Sequence, residues 1–130
     1  MKKILVGTDF SPMATEALRY AGQLADSTGA ELIALYADTF EPPVEFTSRE
    51  VAKVANSIAD ARRSAHDELE RCVGQNVPHN VHTRIIIADG HPVPAIVGQA
   101  ASLGVDTIVV GTHGRSGIQR LLLDPSARAS

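Results

Sequence analysis

Short apolar, β-branched runs alternate along this chain with longer segments in which apolar residues recur every three or four positions. Runs of the first kind are typical of strands that are buried on both faces, and segments of the second kind are typical of amphipathic helices. The alternation indicates successive βαβ units and therefore a parallel sheet. Strands are predicted over residues 3–8, 31–37, 81–88 and 106–111.

Capping residues mark the ends of the predicted helices. Ser11 followed by Pro12 is a helix start, because Ser is a preferred N-cap and Pro suits the first helical position, and Gly29 ends that helix. Thr47 and Glu50 have the spacing of a capping box at the start of a long second helix. A third helix carries an apolar stripe formed by Val93, Ile96, Val97, Ala100 and Leu103.

Strands and helices in this order predict one α/β domain over residues 1–130, with an open, doubly wound parallel sheet of at least four strands. Helices then cover both faces of the sheet. Ligands of such sheets bind at the carboxyl ends of the strands, where the strand order reverses. The loops that begin there in this chain follow Thr8, Ala37, Ala88 and Gly111.

The loop after the fourth strand is rich in glycine, with Gly111, Gly114 and Gly117 interspersed with small polar residues. Glycines let the backbone approach a ligand closely, so that successive amides can surround phosphate oxygens. Arg115 could pair with a phosphate in the same loop. The alternative interpretation is a plain glycine-rich turn with a solvated arginine.

Composition and charge exclude several classes of protein. A net charge of −3, with no basic cluster longer than Arg62-Arg63, argues against a nucleic-acid partner. No apolar run approaches the roughly 20 residues of a membrane span, and the chain runs from Met1 directly into a strand, so we expect neither a membrane anchor nor a signal peptide. A single cysteine, Cys72, needs no oxidising compartment, which favours the cytoplasm.

Three segments of the chain have a characteristic sequence: 4–11, the Asp89-Gly90-His91-Pro92 entry to the third helix, and 106–117. Together they resemble the universal stress protein family, and the resemblance covers the chain to about residue 123. The resemblance implies a Rossmann-like α/β fold and a cytoplasmic stress-response protein, often a homodimer. Many members bind ATP through a Gly-x2-Gly-x9-Gly-Ser/Thr motif.

The same resemblance implies a binding site for ATP or AMP. Gly111 and Gly114 correspond to the first two glycines of the motif, near the ribose and the α-phosphate. Asp9 and Thr8 would lie beside the nucleotide, and Ala37 would offer its backbone to adenine. The remaining candidate binding residues, in the glycine-rich loop, are His113, Arg115 and Ser116.

The second half of the motif is altered in this sequence. Asp124 and Pro125 stand where ATP-binding members have Gly and Ser or Thr, and neither suits a phosphate, because one is negative and the other has no N–H. We therefore expect ATP to bind no better than AMP. The family's last helix and fifth strand have no counterpart before Ser130, so we expect the fourth strand to be an exposed edge that promotes self-association.

Other functions compete with nucleotide binding. The strongest alternative is a protein-interaction module of the same fold with no ligand. A receiver domain or an ATP-using ligase would need acidic clusters or a phosphate loop that this chain lacks after its first strand. Asp9 has no predicted acid–base partner and the five histidines are scattered, so we expect neither catalysis nor a metal site.

Overall fold

A computed structural model of the protein describes residues 1–39 and 47–111, and the backbone of residues 118–122. The predicted strands all form, with bounds within two residues of those expected. The elements in chain order are β1 (Lys3–Thr8), α1 (Pro12–Thr28), β2 (Glu31–Asp38), α2 (Ser48–Asn76), β3 (Thr83–Asp89), α3 (Pro92–Leu103), β4 (Thr107–Gly111) and β5 (Ile118–Leu122).

The sheet has the strand order β3-β2-β1-β4-β5, and β1 to β4 are parallel. The chain builds outward from β1 to β3, then crosses back to place β4 on the other side of β1. The strand order therefore reverses between β1 and β4, as a doubly wound α/β fold requires. This confirms the predicted fold class and puts the expected ligand crevice beside the carboxyl end of β1.

The fifth strand corrects one expectation from the sequence. Ile118–Leu122 pairs antiparallel with β4, so that Leu122 lies opposite Thr107 and Ile118 opposite Gly111. The prediction that no fifth strand follows, and that β4 is an exposed edge, is therefore wrong. The run is short and follows a glycine-rich segment, so nothing local marks it as a strand. The unpaired backbone groups of β4 supply the partner that defines it.

The two faces of the sheet bury separate cores. Ile4 and Val6 of β1 point to the face covered by α1 and α2, the two-helix face, where Leu18 and Leu69 pack against them. Leu5 points to the opposite face, the one-helix face, where it packs with Ala100 of α3. Alternation of side chains along each strand produces this division. No helix in the described part of the chain has the length and apolar character of a membrane span.

The predicted helix caps are present as hydrogen bonds. The Ser11 hydroxyl accepts from the Ala14 N–H at 3.2 Å, and Gly29 ends α1 with a left-handed φ of 74°. At the start of α2, Thr47 and Glu50 accept from each other's N–H groups at 3.3 and 3.0 Å, which completes the capping box. Local sequence therefore determines where these helices begin and where α1 ends.

Candidate functional site

A cavity of about 280 Å³ opens at the carboxyl ends of β1, β2 and β4. Its sheet side is formed by residues that end these strands or follow them, and its other wall is the first turns of α3. The position matches the crevice that the reversal of strand order predicts. The sheet side includes Gly7, Thr8, Asp9, Leu35, Ala37 and Gly111.

Four of the residues predicted as binding residues come together around this cavity, namely Thr8, Asp9, Ala37 and Gly111. They belong to three different strands or the turns after them, so only the fold brings them within reach of one ligand. The other four, His113, Gly114, Arg115 and Ser116, lie outside the described residues, as do Asp124 and Pro125. A nucleotide contact by any of the eight stays a prediction.

The turn from β1 into α1 is held by its own side chains. The Thr8 hydroxyl accepts from the Phe10 N–H at 3.1 Å, and the Asp9 carboxylate accepts from the Ser11 N–H at 2.9 Å through Oδ1. Such bonds to the backbone two residues on are typical of turns that begin with Thr or Asp. A carboxylate has about four acceptor positions, so Asp9 can also accept from a ligand at the cavity mouth.

The backbone of Ala37 lies where β1 leaves the sheet. Backbone groups of β2 face alternate neighbours: the Glu31 N–H donates to Lys2 of the β1 side at 2.9 Å, and the Leu32 N–H donates to His82 of the β3 side at 2.9 Å. Ala37 is separated from Glu31 by an even number of positions, so its backbone groups face the β1 side as those of Glu31 do. It lies one residue beyond Tyr36, which forms the last pair between β1 and β2 with Thr8. Its carbonyl therefore faces the gap at the end of β1, beside the cavity.

Gly111 is required by packing as well as by its place in the cavity wall. A Cβ at this position would lie 2.8 Å from the Met13 carbonyl oxygen and 3.1 Å from the Ala14 nitrogen. Both are backbone atoms of the first turn of α1, which has little freedom to move. The sequence assigned this glycine to ligand approach, whereas the structure shows a close approach of helix backbone.

The wall contributed by α3 was missed by the sequence analysis. Pro92, Val93 and Ile96 line the cavity there, and Val93 is 71% exposed. Proline at residues 92 and 94 removes two of the N–H groups that a helix start normally offers, so this wall is apolar and gives little to an anion. The crossover from β3 back to β4 was the available signal, since it carries α3 over the reversal point.

Charged side chains lie close together at the carboxyl edge of the sheet, beyond the cavity. Asp38 and Asp89 are register partners, and Arg62 of α2 donates to the Asp89 carboxylate and to the Ile87 carbonyl. The Tyr36 hydroxyl donates to Asp38 at 3.0 Å. Partial burial raises the pKa of this phenol, and the hydrogen bond to Asp38 and the charges of Asp38 and Asp9 raise it further.

Cys72 and the acidic and histidine side chains do not form a second chemical centre in the described residues. Cys72 packs against the two-helix core, and burial together with the charge of Glu68 raises the pKa of its thiol, while Arg71 lowers it. A raised pKa disfavours the nucleophilic thiolate. Within the described ranges, no three His, Cys, Asp or Glu side chains converge as metal ligands would.

Comparison with known proteins defines the class of protein. The sequence model of the universal stress protein family matches residues 1–129. Universal stress protein A homolog 1 of Coxiella burnetii is 31% identical over 125 residues, which cover 93% of this chain and 83% of the relative. The chain therefore belongs to the universal stress protein family, a family of stress-response proteins.

Solved structures of the same fold agree with this assignment. A structure of the hypothetical protein MJ0577 is 26% identical, with a TM-score of 0.67, and covers 98% of this chain and 85% of its own. A universal stress protein in complex with cAMP has a TM-score of 0.54 at 24% identity over 89% of this chain and 78% of its own. A family protein of Arabidopsis thaliana with AMP bound has a TM-score of 0.58 at 13% identity, over 89% and 80%. At these two lower identities, the likeness shows the fold.

Proposed function

We propose that this chain holds an adenine nucleotide in the cavity at the carboxyl ends of β1, β2 and β4, as a binding protein and not as an enzyme. The observation that supports the proposal most is the convergence of Thr8, Asp9, Ala37 and Gly111 on one cavity at the reversal point of the sheet. Its volume, about 280 Å³, lies just below the roughly 300–1,000 Å³ that is typical of ligand pockets.

The base is assigned to the inner part of the cavity, between Leu35 and Ala37 of β2 and the apolar wall of α3. An apolar slot with a backbone acceptor at its rim suits a flat ring with an amino group. The Ala37 carbonyl would accept from the exocyclic amine of adenine, whereas guanine presents a carbonyl at the same ring position and would be repelled.

The sugar is assigned to Asp9, because a carboxylate at the cavity mouth accepts hydrogen bonds from ribose hydroxyls and repels phosphate. The phosphate is therefore assigned to the side of Gly111, from which the glycine-rich loop departs. Two solved structures of the same fold, described as bound to AMP and to cAMP, support an adenine monophosphate as the ligand.

Isothermal titration with AMP and GMP tests the proposal directly. AMP should bind with a measurable affinity and GMP should bind at least about tenfold more weakly, the cost of leaving one buried polar group unpaired. Equal binding of both nucleotides would contradict the assignment of the base to Ala37. Absence of binding by either would overturn the proposed function.

A pair of carboxylate variants sharpens the test. Asp9→Ala should weaken AMP about tenfold or more, since a hydrogen bond to a charged group is lost. Asp38→Asn is the matched control, because Asp38 lies on the same edge of the sheet, is exposed and contacts Tyr36 outside the cavity lining. Equal losses in both variants would contradict a specific contact between Asp9 and the ribose, because loss of a negative charge by itself should strengthen the binding of an anionic nucleotide.

ATP separates the two halves of the nucleotide site. From Asp124 and Pro125, we expect ATP to bind no more tightly than AMP. Titration of both nucleotides under identical magnesium and salt conditions measures the ratio, and ATP binding much more tightly than AMP would contradict the expectation. Phosphorus NMR of ATP incubated with the protein should show no phosphate release above the buffer control, as a holder and not a hydrolase would behave.

A protein-interaction role without a nucleotide is the second candidate. The observation that favours it is the apolar surface of α3, where Val93 is 71% and Val97 58% exposed. Native mass spectrometry of the purified protein distinguishes the two, because a retained nucleotide adds a fixed mass. The family resemblance further supports a cytoplasmic homodimer, which size-exclusion chromatography with light scattering tests for the assembly.

A further inference from the structure

We infer that Phe10, which lies outside the cavity lining, is a positioning residue that holds Thr8 and Asp9 toward the ligand. The inference rests on the proposed function, since it concerns the same cavity. It concerns a side chain on the opposite face of the sheet from α3, packed beside the two-helix core.

The backbone of Phe10 has an unfavourable conformation. Its φ is +65°, and it is the only residue other than glycine with a positive φ among the described residues. For a bulky side chain this left-handed region is a genuine outlier, because the Cβ crowds the following carbonyl. Such a conformation persists only where the surrounding structure imposes it.

Contacts of both the ring and the backbone hold Phe10 in this conformation. The Phe10 ring packs on the Tyr36 ring, with centroids 4.7 Å apart and planes tilted by 34°. Its N–H donates to the Thr8 hydroxyl at 3.1 Å, and the next residue, Ser11, donates its N–H to Asp9 at 2.9 Å. The Phe10 ring is thus fixed to β2. Thr8 and Asp9, the two cavity residues, are fixed to the backbone N–H groups of Phe10 and Ser11.

The left-handed turn has two consequences for the cavity. It ends β1 and reverses the chain, so that Thr8 and Asp9 remain at the cavity while Ser11 starts α1 behind them. A glycine at residue 10 would adopt the same φ without strain, but it would leave the turn without its contact to Tyr36. The strained phenylalanine therefore orders the turn before a ligand arrives, which removes an ordering cost from binding.

Substitution of Phe10 separates positioning from folding. Phe10→Gly relieves the backbone strain, removes the ring, and should weaken AMP about tenfold, as expected for a turn whose ordering is left to the ligand. Phe10→Tyr keeps the ring and should restore the affinity of the unmodified protein. Affinities are measured by titration at a temperature where thermal melts show every variant fully folded, so a purely structural role would leave them equal.

Changes at the partner ring provide an independent arm. Tyr36→Leu removes the stacking surface without altering the backbone preference of residue 10, and it should weaken AMP as Phe10→Gly does. Tyr36→Phe is the matched control, since it keeps the ring and loses only the hydroxyl bond to Asp38. Unchanged affinity in both Phe10→Gly and Tyr36→Leu would overturn the inference while leaving nucleotide binding intact.

Hydrogen exchange tests the same inference without a ligand. The amide of Ser11, bound to Asp9 in the ordered turn, should exchange about tenfold faster in Phe10→Gly than in the unmodified protein and be restored in Phe10→Tyr. Unmodified protein that does not bind AMP would overturn the proposed function. Unchanged protection of the Ser11 amide in Phe10→Gly would overturn the role of Phe10, whatever the result for AMP.

Discussion

The two faces of the sheet end differently at the carboxyl edge. On the two-helix face, the Phe10 and Tyr36 rings pack together beside the core and close that edge. On the one-helix face, the next residue of β2 is Ala37, and the space beside its small side chain is the cavity. Adjacent residues of one strand therefore have opposite effects, because their side chains point to opposite faces. A ligand site arises where packing is left incomplete, next to packing that is complete.

The largest effect on stability is expected from a substitution on the two-helix face, where the packing is complete. Leu69 is fully buried and joins α2 to the two-helix core, so Leu69→Ala should lower the free energy of unfolding by about 2–5 kcal/mol. Leu103→Ala, at a partly buried position on the one-helix face, should cost less. Urea denaturation of both variants measures the comparison, and equal losses would show that the two faces are equally well packed.

A smaller loss of stability is expected from a substitution at Gly111, the last residue of β4. Gly111→Ala forces a methyl group against the Met13 carbonyl and should cost about 1–3 kcal/mol by overpacking. Gly7→Ala is the control, because the closest neighbour of its Cβ would be the end of the Ile96 side chain, at 2.6 Å, which can rotate away. Because Gly7 lines the cavity, Gly7→Ala should lower the free energy of AMP binding more than the free energy of unfolding. The reverse result would contradict the position of Gly7 in the cavity lining.

A substitution on the two-helix side of β4 is expected to increase the stability of the protein. Thr107 is fully buried, and its hydroxyl has no hydrogen-bond partner among the described residues. Thr107→Val keeps the shape and removes the buried hydroxyl, so thermal and urea unfolding should show a gain of about 1 kcal/mol. A loss of stability would instead indicate a partner for this hydroxyl outside the described part of the chain.

The smallest effect on stability is expected on the exposed surface of α3. Val93→Ser should change the free energy of unfolding by less than about 0.5 kcal/mol, because the side chain is mostly exposed. It should still weaken AMP, since Val93 lines the cavity. Val97→Ser, one helical turn away and outside the lining, should change neither stability nor AMP affinity. A loss of AMP affinity in Val97→Ser alone would contradict the assigned wall.

Local sequence was sufficient for most of the elements. The capping residues Ser11 and Thr47, the terminal Gly29 and the apolar runs identified helices and strands, because their causes lie within a few residues. The same reasoning placed Asp9 and Gly111 at strand ends. It missed β5, because that strand is defined by the backbone groups of β4 and not by a strong pattern of its own.

Tertiary structure alone decided the remaining features of the site. The order β3-β2-β1-β4-β5 sets Gly111 beside the turn that carries Asp9, and no local pattern specifies that neighbour. The reason for glycine at 111 is the backbone of a helix distant in sequence, and the unusual conformation of Phe10 depends on a ring in another strand. Sequence determines what each segment tends to form, whereas contacts between distant segments determine which tendencies are kept or overridden.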